Sequence, residues 1–266
     1  MLTNYHTHTT FCDGKNTPEE IVRYAIDKGF DAIGLSGHGY TPFDLRYCMK
    51  DTEGYRAEVN ALKEKYKDKI QIYCGIEEDA FHPANRSDFD YIIGSSHYFC
   101  KAGKYYPIDS SYDYFKECLK LFDYDVEALA ETYYSTFCEY IKNRKPDIVG
   151  HFDDITKFDE IDVPRFFCNP EYLKIAEKYM TGAAQNDVIF EVNTGGISRG
   201  FRTAPYPHGE LLHIIKKHGG KVMLSSDSHE IKTLDFYFEE AKKILKDVGF
   251  DGVYVLHDGT FKKSPI

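Results

Sequence analysis

The chain has 266 residues, 42% hydrophobic and 29% charged, with a formal net charge of −10. That balance supplies a sizeable core and leaves no surplus of lysine and arginine for a nucleic-acid interface. No apolar run approaches the ~20 residues of a membrane span, and "MLTNYHTHTT" lacks the charged and apolar regions of a secretory signal, so a cytoplasmic protein is expected.

The first strand is predicted over "LTNYH", residues 2–6. His6 and His8 stand two apart, which puts both imidazoles on one side of a strand, and the following loop can return Asp13 beside them. Two imidazoles and a carboxylate make a metal-ligand arrangement, although H-x-H alone also fits an exposed strand. A helix follows over 17–30, with Thr17 as N-cap, Pro18 in the first turn, Glu20 as the capping-box acid and Gly29 closing it. Strand 31–38 ends on His38, a helix covers 55–68, and strand 70–77 ends on Glu77. Strand 89–97 ends on His97. Helices over 111–122 and 126–144 then lead to strand 147–151, which ends on His151. Helix 170–186, strand 188–194 and helix 209–219 precede strand 221–229, which carries Asp227 and His229. A last helix over 234–249 leads into the apolar stretch 252–256.

Near-continuous apolar strands alternating with helices predict a parallel sheet covered on both faces. About seven such units without a linker favour one closed or nearly closed α/β barrel spanning 1–266 as a single domain. In such barrels the carboxyl ends of the strands open on one face. His6, His8, Asp13, His38, Glu77, His97, His151, Asp227 and His229 would meet there, a pattern that points to one His-rich metal site. The other histidines are placed elsewhere: His213 and His218 on an amphipathic helix in exposed or capping roles, and His208 before it. His257 follows the last strand. His82, just after a strand end, is the one that could approach the site. Seven scattered cysteines with no C-x-x-C argue against disulfides and a thiolate zinc site; Cys12 alone lies inside a candidate motif.

The stretches "HTHTTFCDG", "LSGHGYT", "GIEED", "GSSHY", "GHFD", "NTGG" and "SSDSH", in that order, resemble the polymerase-and-histidinol-phosphatase (PHP) superfamily, and within it the monofunctional histidinol-phosphate phosphatases. The resemblance runs from Leu2 to about Leu256. It implies a distorted (β/α)7 TIM-like barrel and three divalent ions of zinc, manganese or iron. It implies His6, His8, Glu77 and Asp227 around the first ion, with Glu77 bridging to a second held by His97 and His151. Asp13, His38 and His229 would hold the third. The position of Asp13 is often histidine in the family, and a carboxylate there favours a harder cation.

Clustered divalent ions suit phosphate-ester hydrolysis because they activate water and neutralise phosphate oxygens. A phosphate also calls for cationic side chains. Arg199 and Arg202, in the loop "NTGGISRGFRTAPYP", and Lys157, in "GHFDDITKFD", are the candidates; Asp227 is one option for the leaving group's general acid. The leading expectation is hydrolysis of L-histidinol phosphate in histidine biosynthesis, with a small phosphomonoester as substrate and neither nucleic acid nor membrane as partner. Its acceptor for the substrate's ammonium and imidazole is sought in "EED" and "YYPIDSSYDY". The alternatives are another phosphoesterase on the same scaffold, namely a protein-tyrosine phosphatase, nuclease or nucleotide phosphatase, and a non-catalytic metal-binding module.

Overall fold

The computed structural model describes all 266 residues. In chain order it runs β1 (Thr3–Asn4), α1 (Pro18–Asp27), β2 (Ala32–Leu35), α2 (Thr52–Tyr66), β3 (Gln71–Asp79), β4 (Tyr91–Ser95), β5 (Tyr98–Lys101) and β6 (Lys104–Pro107). There follow α3 (Tyr112–Lys120), α4 (Val126–Arg144), β7 (Ile148–Val149), α5 (Pro170–Ala184), β8 (Ile189–Asn193) and the single turn α6 (Gly195–Ser198). The chain ends with α7 (Gly209–Lys217), β9 (Lys221–Ser225), α8 (Phe238–Val248), β10 (Gly252–His257) and β11 (Thr260–Pro265).

Seven parallel strands pair in the order β1-β2-β3-β4-β7-β8-β9. The two edges meet beyond the regular strands: His8 N donates to Ser228 O at 2.8 Å, and Ser228 N donates to His6 O at 3.1 Å. The result is the nearly closed, distorted seven-stranded barrel that the sequence predicts. No helix is long and apolar enough to cross a membrane.

Strand alternation builds the interior in layers. Along β8, Phe190 and Val192 pack outward in the largest apolar cluster, while Ile189 packs inward with Met223. Glu191 and Asn193 continue that inner row towards the mouth. On β3, Ile72, Cys74 and Ile76 pack outward and Tyr73 inward, which turns Glu77 and Asp79 to the same inner row. The inner face is thus apolar at its base and ionisable at its carboxyl end. Gly34 and Gly75 are what admit Tyr91 to the interior: a Cβ at either would stand 2.2 Å from its ring or hydroxyl.

The helix α1 matches expectation, with both capping-box bonds of Thr17 and Glu20 formed. Helix α2 starts earlier than predicted, at Thr52, because the Asp51 carboxylate accepts from Gly54 N at 2.9 Å. The C-terminal apolar stretch joins no barrel strand; β10 pairs antiparallel with β11 alone. That hairpin closes the barrel floor. Val255 and Leu256 pack with the inner residues of the seven strands, and Tyr5 Oη donates to Leu256 O at 2.6 Å. Leu256→Ala should therefore cost about 2–5 kcal/mol, the usual range for emptying a buried leucine site. Urea unfolding is the measurement, and a loss below about 0.5 kcal/mol, the level of a surface substitution, would show the hairpin to be an appendage.

Candidate active site

The carboxyl ends of the barrel strands converge on Glu77, whose carboxylate is buried between five imidazoles. Its Oε2 lies 2.8 Å from His38 Nδ1, 3.3 Å from His6 Nε2 and 3.6 Å from His8 Nε2. Its Oε1 lies 3.0 Å from His151 Nε2 and 3.3 Å from His97 Nε2. Asp227 Oδ1 stands 3.0 Å from His8 Nε2 and 3.6 Å from His6 Nε2. At the rim, Asp13 meets His229 at 3.3 Å, His8 at 3.4 Å and His38 at 3.7 Å. All nine residues expected as ligands are brought together.

Their donor atoms fall into three overlapping sets, each within 4.8 Å: His8, Asp13, His38 and His229; His6, His8 and Glu77; His38, Glu77 and His97. His151 and Asp227 adjoin these sets through Glu77 and His8. His38 reaches Glu77 as well as Asp13, so it links the rim to the centre and does not serve the rim alone.

The electrostatics call for cations. Burial works against charge on His6, yet Glu191, Glu77 and Asp227 lift its pKa to about 10. Burial likewise opposes ionisation of Glu77 and Asp227, but the surrounding imidazoles, joined at Asp227 by Arg199, hold both far below the usual carboxylate range. Meanwhile His6 Nε2, His8 Nε2 and Glu77 Oε2 are buried and, close as they stand to one another's groups, none is met at a hydrogen-bonding angle. Buried polar atoms without partners are costly, and imidazole nitrogens with carboxylate oxygens are the donor set of divalent ions. The residues present fit several such ions.

Glu191 is a functional residue that sequence reasoning passed over. It accepts from His6 Nδ1 at 2.8 Å, His151 N at 2.6 Å, Ser225 Oγ at 2.6 Å and Asn193 Nδ2 at 2.7 Å. A carboxylate only accepts, so His6 carries its proton on Nδ1 and turns Nε2 to the cluster. The signal was available: an acid in the middle of the apolar strand "VIFEVNT". Glu191→Gln should weaken metal retention about 10–100-fold, as expected for losing the partner that orients a ligand. Competition with a chelator of known affinity reads this directly; unaltered retention would reduce Glu191 to packing.

A cavity of about 400 Å³ opens beside the ligands, with Arg199, Lys157, Asp109 and Asp154 on its walls. Arg199 Nη2 donates to Asp227 Oδ2 at 2.8 Å and Nη1 to Asp227 O at 3.0 Å. Nη1 also stands 3.2 Å from His229 Nδ1, so the guanidinium touches two expected ligands while its fork stays at the cavity wall. Lys157 Nζ stands 3.3 Å from Asp109 Oδ2. Arg202 is turned elsewhere. It is buried, donates to Thr156 Oγ1 at 2.7 Å, pairs with Asp153 at 3.5 Å and stacks on Tyr206 at 4.0 Å. It therefore ties two loops together and does not line the cavity. His82 meets Tyr40 edge-on outside the cavity, His208 caps α7, and His257 lies on the floor hairpin. Cys12 Sγ lies 3.6 Å from His8 Nδ1, behind the ligand ring.

The PHP domain model matches residues 4–195. The chain belongs to the PHP domain family. Among relatives of this PHP domain, a probable histidinol-phosphatase of Schizosaccharomyces pombe is 26% identical over 97% of this chain and 90% of its own. A histidinol-phosphatase of Bacillus subtilis is 24% identical over 88% of this chain and 96% of its own. In three dimensions the PHP domain resembles the histidinol phosphate phosphatase of Lactococcus lactis solved with zinc, L-histidinol and phosphate. That match has a TM-score of 0.74 at 22% identity and covers 98% of this chain and 99% of the other.

Proposed function

We propose that the chain is a metal-dependent phosphomonoesterase that hydrolyses L-histidinol phosphate to L-histidinol and phosphate, with residues 1–266 acting as one catalytic unit in the cytoplasm. The observation that carries the reading is Glu77, with both oxygens ringed by imidazoles at the mouth of a cavity that also holds Arg199 and Lys157. The full-length relatives named histidinol-phosphatase supply the substrate. Strands drawn from both ends of the chain, and a floor made by its last residues, support a single unit. Seven free cysteines suit a reducing compartment.

His6, His8, Glu77 and Asp227 would hold one ion, Glu77 with His97 and His151 a second, and Asp13, His38 and His229 a third. Ions bound there supply activated water and screen the charge on phosphate oxygens. Around them the chain does the positioning. Neutral imidazoles ligate without adding charge that would repel a phosphate dianion, so the overall charge of −10 is no obstacle. Arg199 and Lys157 orient the phosphate from the cavity wall, Arg199 with its planar fork. Asp227 would carry a proton to the leaving oxygen only transiently, because Arg199 and His6 outweigh burial and favour its ionised form.

A substrate panel with metal-reconstituted enzyme tests the reading. L-Histidinol phosphate should give a kcat/KM at least about tenfold above phosphotyrosine, nucleoside monophosphates and p-nitrophenyl phosphate, the discrimination that a few well-placed polar contacts supply. Preference for phosphotyrosine or a nucleotide would move the enzyme to another member of the same scaffold, and no hydrolysis of any would end the phosphatase assignment.

A further inference from the structure

Arg202 is a costly residue to keep where it stands. Its side chain is buried, and a guanidinium taken out of water loses hydration that only good partners restore. Nη1 donates to Thr156 Oγ1 at 2.7 Å and stands 3.5 Å from Asp153 Oδ2, and the Tyr206 ring covers the guanidinium at 4.0 Å. Nε makes no hydrogen bond. Apolar side chains of similar volume would hold two loops at least as firmly, so stability alone does not account for an arginine here.

What an arginine adds is a fixed direction. Arg199 and Arg202 sit on one compact turn at the end of β8. Arg199 N donates to Gly195 O at 3.1 Å, Phe201 N to Gly196 O at 2.9 Å and Arg202 N to Gly196 O at 3.3 Å. From that turn Arg199 reaches Asp227 and the cavity wall, whereas Arg202 reaches Asp153 and Thr156 in the β7–α5 loop. The residue after Thr156 is Lys157, the other cation of the cavity wall next to the ligands. Lys157 in turn leans back on the first loop. Its ammonium lies 5.2 Å from the centre of the Phe201 ring, and Phe158 meets Phe201 edge to face at 5.5 Å. Each loop thus lays a side chain beside the other loop's phosphate cation. Thr203 N, donating to Glu160 Oε2 at 2.9 Å, closes the same seam at the surface.

We propose that Arg202 is a positioning residue that fixes Arg199 and Lys157 relative to one another as a paired clamp for the substrate's phosphate. It lines no part of the cavity and acts only through those two cations. This rests on the phosphomonoesterase reading and deepens it, since two separately mounted cations need a set spacing to meet one phosphate group. A planar fork, bonded at one edge to Thr156 and stacked on Tyr206, sets that spacing better than a flexible ammonium.

The test uses the full-length, metal-loaded chain with inorganic phosphate and L-histidinol phosphate as probes. Arg202→Lys keeps the charge and loses the fork. It should raise the Kd for phosphate, read by calorimetry, and the KM for the ester by about tenfold each, with kcat within about threefold and metal content unchanged. Thr156→Val removes the acceptor and should move both quantities in the same direction, while Thr156→Ser should keep them near wild type. A double-mutant cycle with Lys157→Met separates positioning from packing. With Lys157 gone, Asp227 still holds Arg199, so Arg202→Lys should then change phosphate affinity by less than about threefold. A lower melting temperature with KM and Kd unmoved would make Arg202 structural only and overturn the proposal. Equal losses with and without Lys157 overturn it too, since Arg202 would then act through something else. If Arg202→Lys fails to fold, the two Thr156 variants decide by the same readouts. A wild type that binds phosphate but hydrolyses no ester ends the phosphatase reading, and coupled losses of phosphate affinity in the cycle would still uphold the clamp. A wild type that binds no phosphate overturns both.

Discussion

Glu77→Gln should remove two ions from the chain at once and lower kcat/KM by several kcal/mol of transition-state stabilisation, about three orders of magnitude. The expectation comes from the division of its oxygens: Oε2 faces His6, His8 and His38, and Oε1 faces His97 and His151. Glutamine keeps the shape but gives up the negative charge and replaces one acceptor with an NH2 that cannot ligate. The buried imidazoles would then lose the carboxylate that balances cations among them. Elemental analysis beside kinetics checks this. Loss of one ion per chain would show that Glu77 serves one site only, and full metal content with full activity would make it a buried ion-pair partner. Because bound ions stabilise the native state by mass action, the melting temperature should fall too, and comparing chelator-treated wild type with chelator-treated variant isolates that part.

Much of this centre was legible before any coordinates. Glu77, His97 and His151 stand at the ends of apolar runs, and a parallel barrel sends every such end to one face. Capping of α1 was legible for a similar reason, since Thr17, Pro18 and Glu20 act within one turn. Contacts between distant segments were not. Arg199 and Arg202 share one glycine-flanked loop and look alike in sequence; only the burial of Asp153 and Thr156 beneath Arg202 separates them. The β5–β6 hairpin went unseen because Ala102, at φ 51°, takes a turn position where glycine or asparagine is usual. The floor hairpin left a stronger trace. Asp258 and Gly259, at φ 52° and 71°, form the Asp-Gly turn between alternating residues that marks a two-residue hairpin, so the stretch reads as a hairpin once that pair is weighed.

Arg199→Ala should cost about 2–4 kcal/mol in kcat/KM, the effect of removing a positioned donor from a developing charge, while most of the metal stays bound. The second half of that expectation needs argument, because Arg199 also touches a ligand. It holds Asp227 through Oδ2 and the backbone oxygen, whereas the cluster is faced by Oδ1. Loss of the guanidinium therefore leaves Oδ1 with His6 and His8 in place, and takes from the rim only the 3.2 Å contact to His229 Nδ1. Arg199→Lys should restore only part of the activity, since an ammonium supplies charge without the planar fork. Metal content measured beside kcat/KM separates the two ways Arg199 could act. Turnover that falls with metal retained places the guanidinium on the phosphate. Turnover and metal falling together would mean that it works through Asp227. Unchanged kcat/KM in both variants would leave Arg199 as a partner of Asp227 and nothing more, and Lys157 would then be the cation that the phosphate meets.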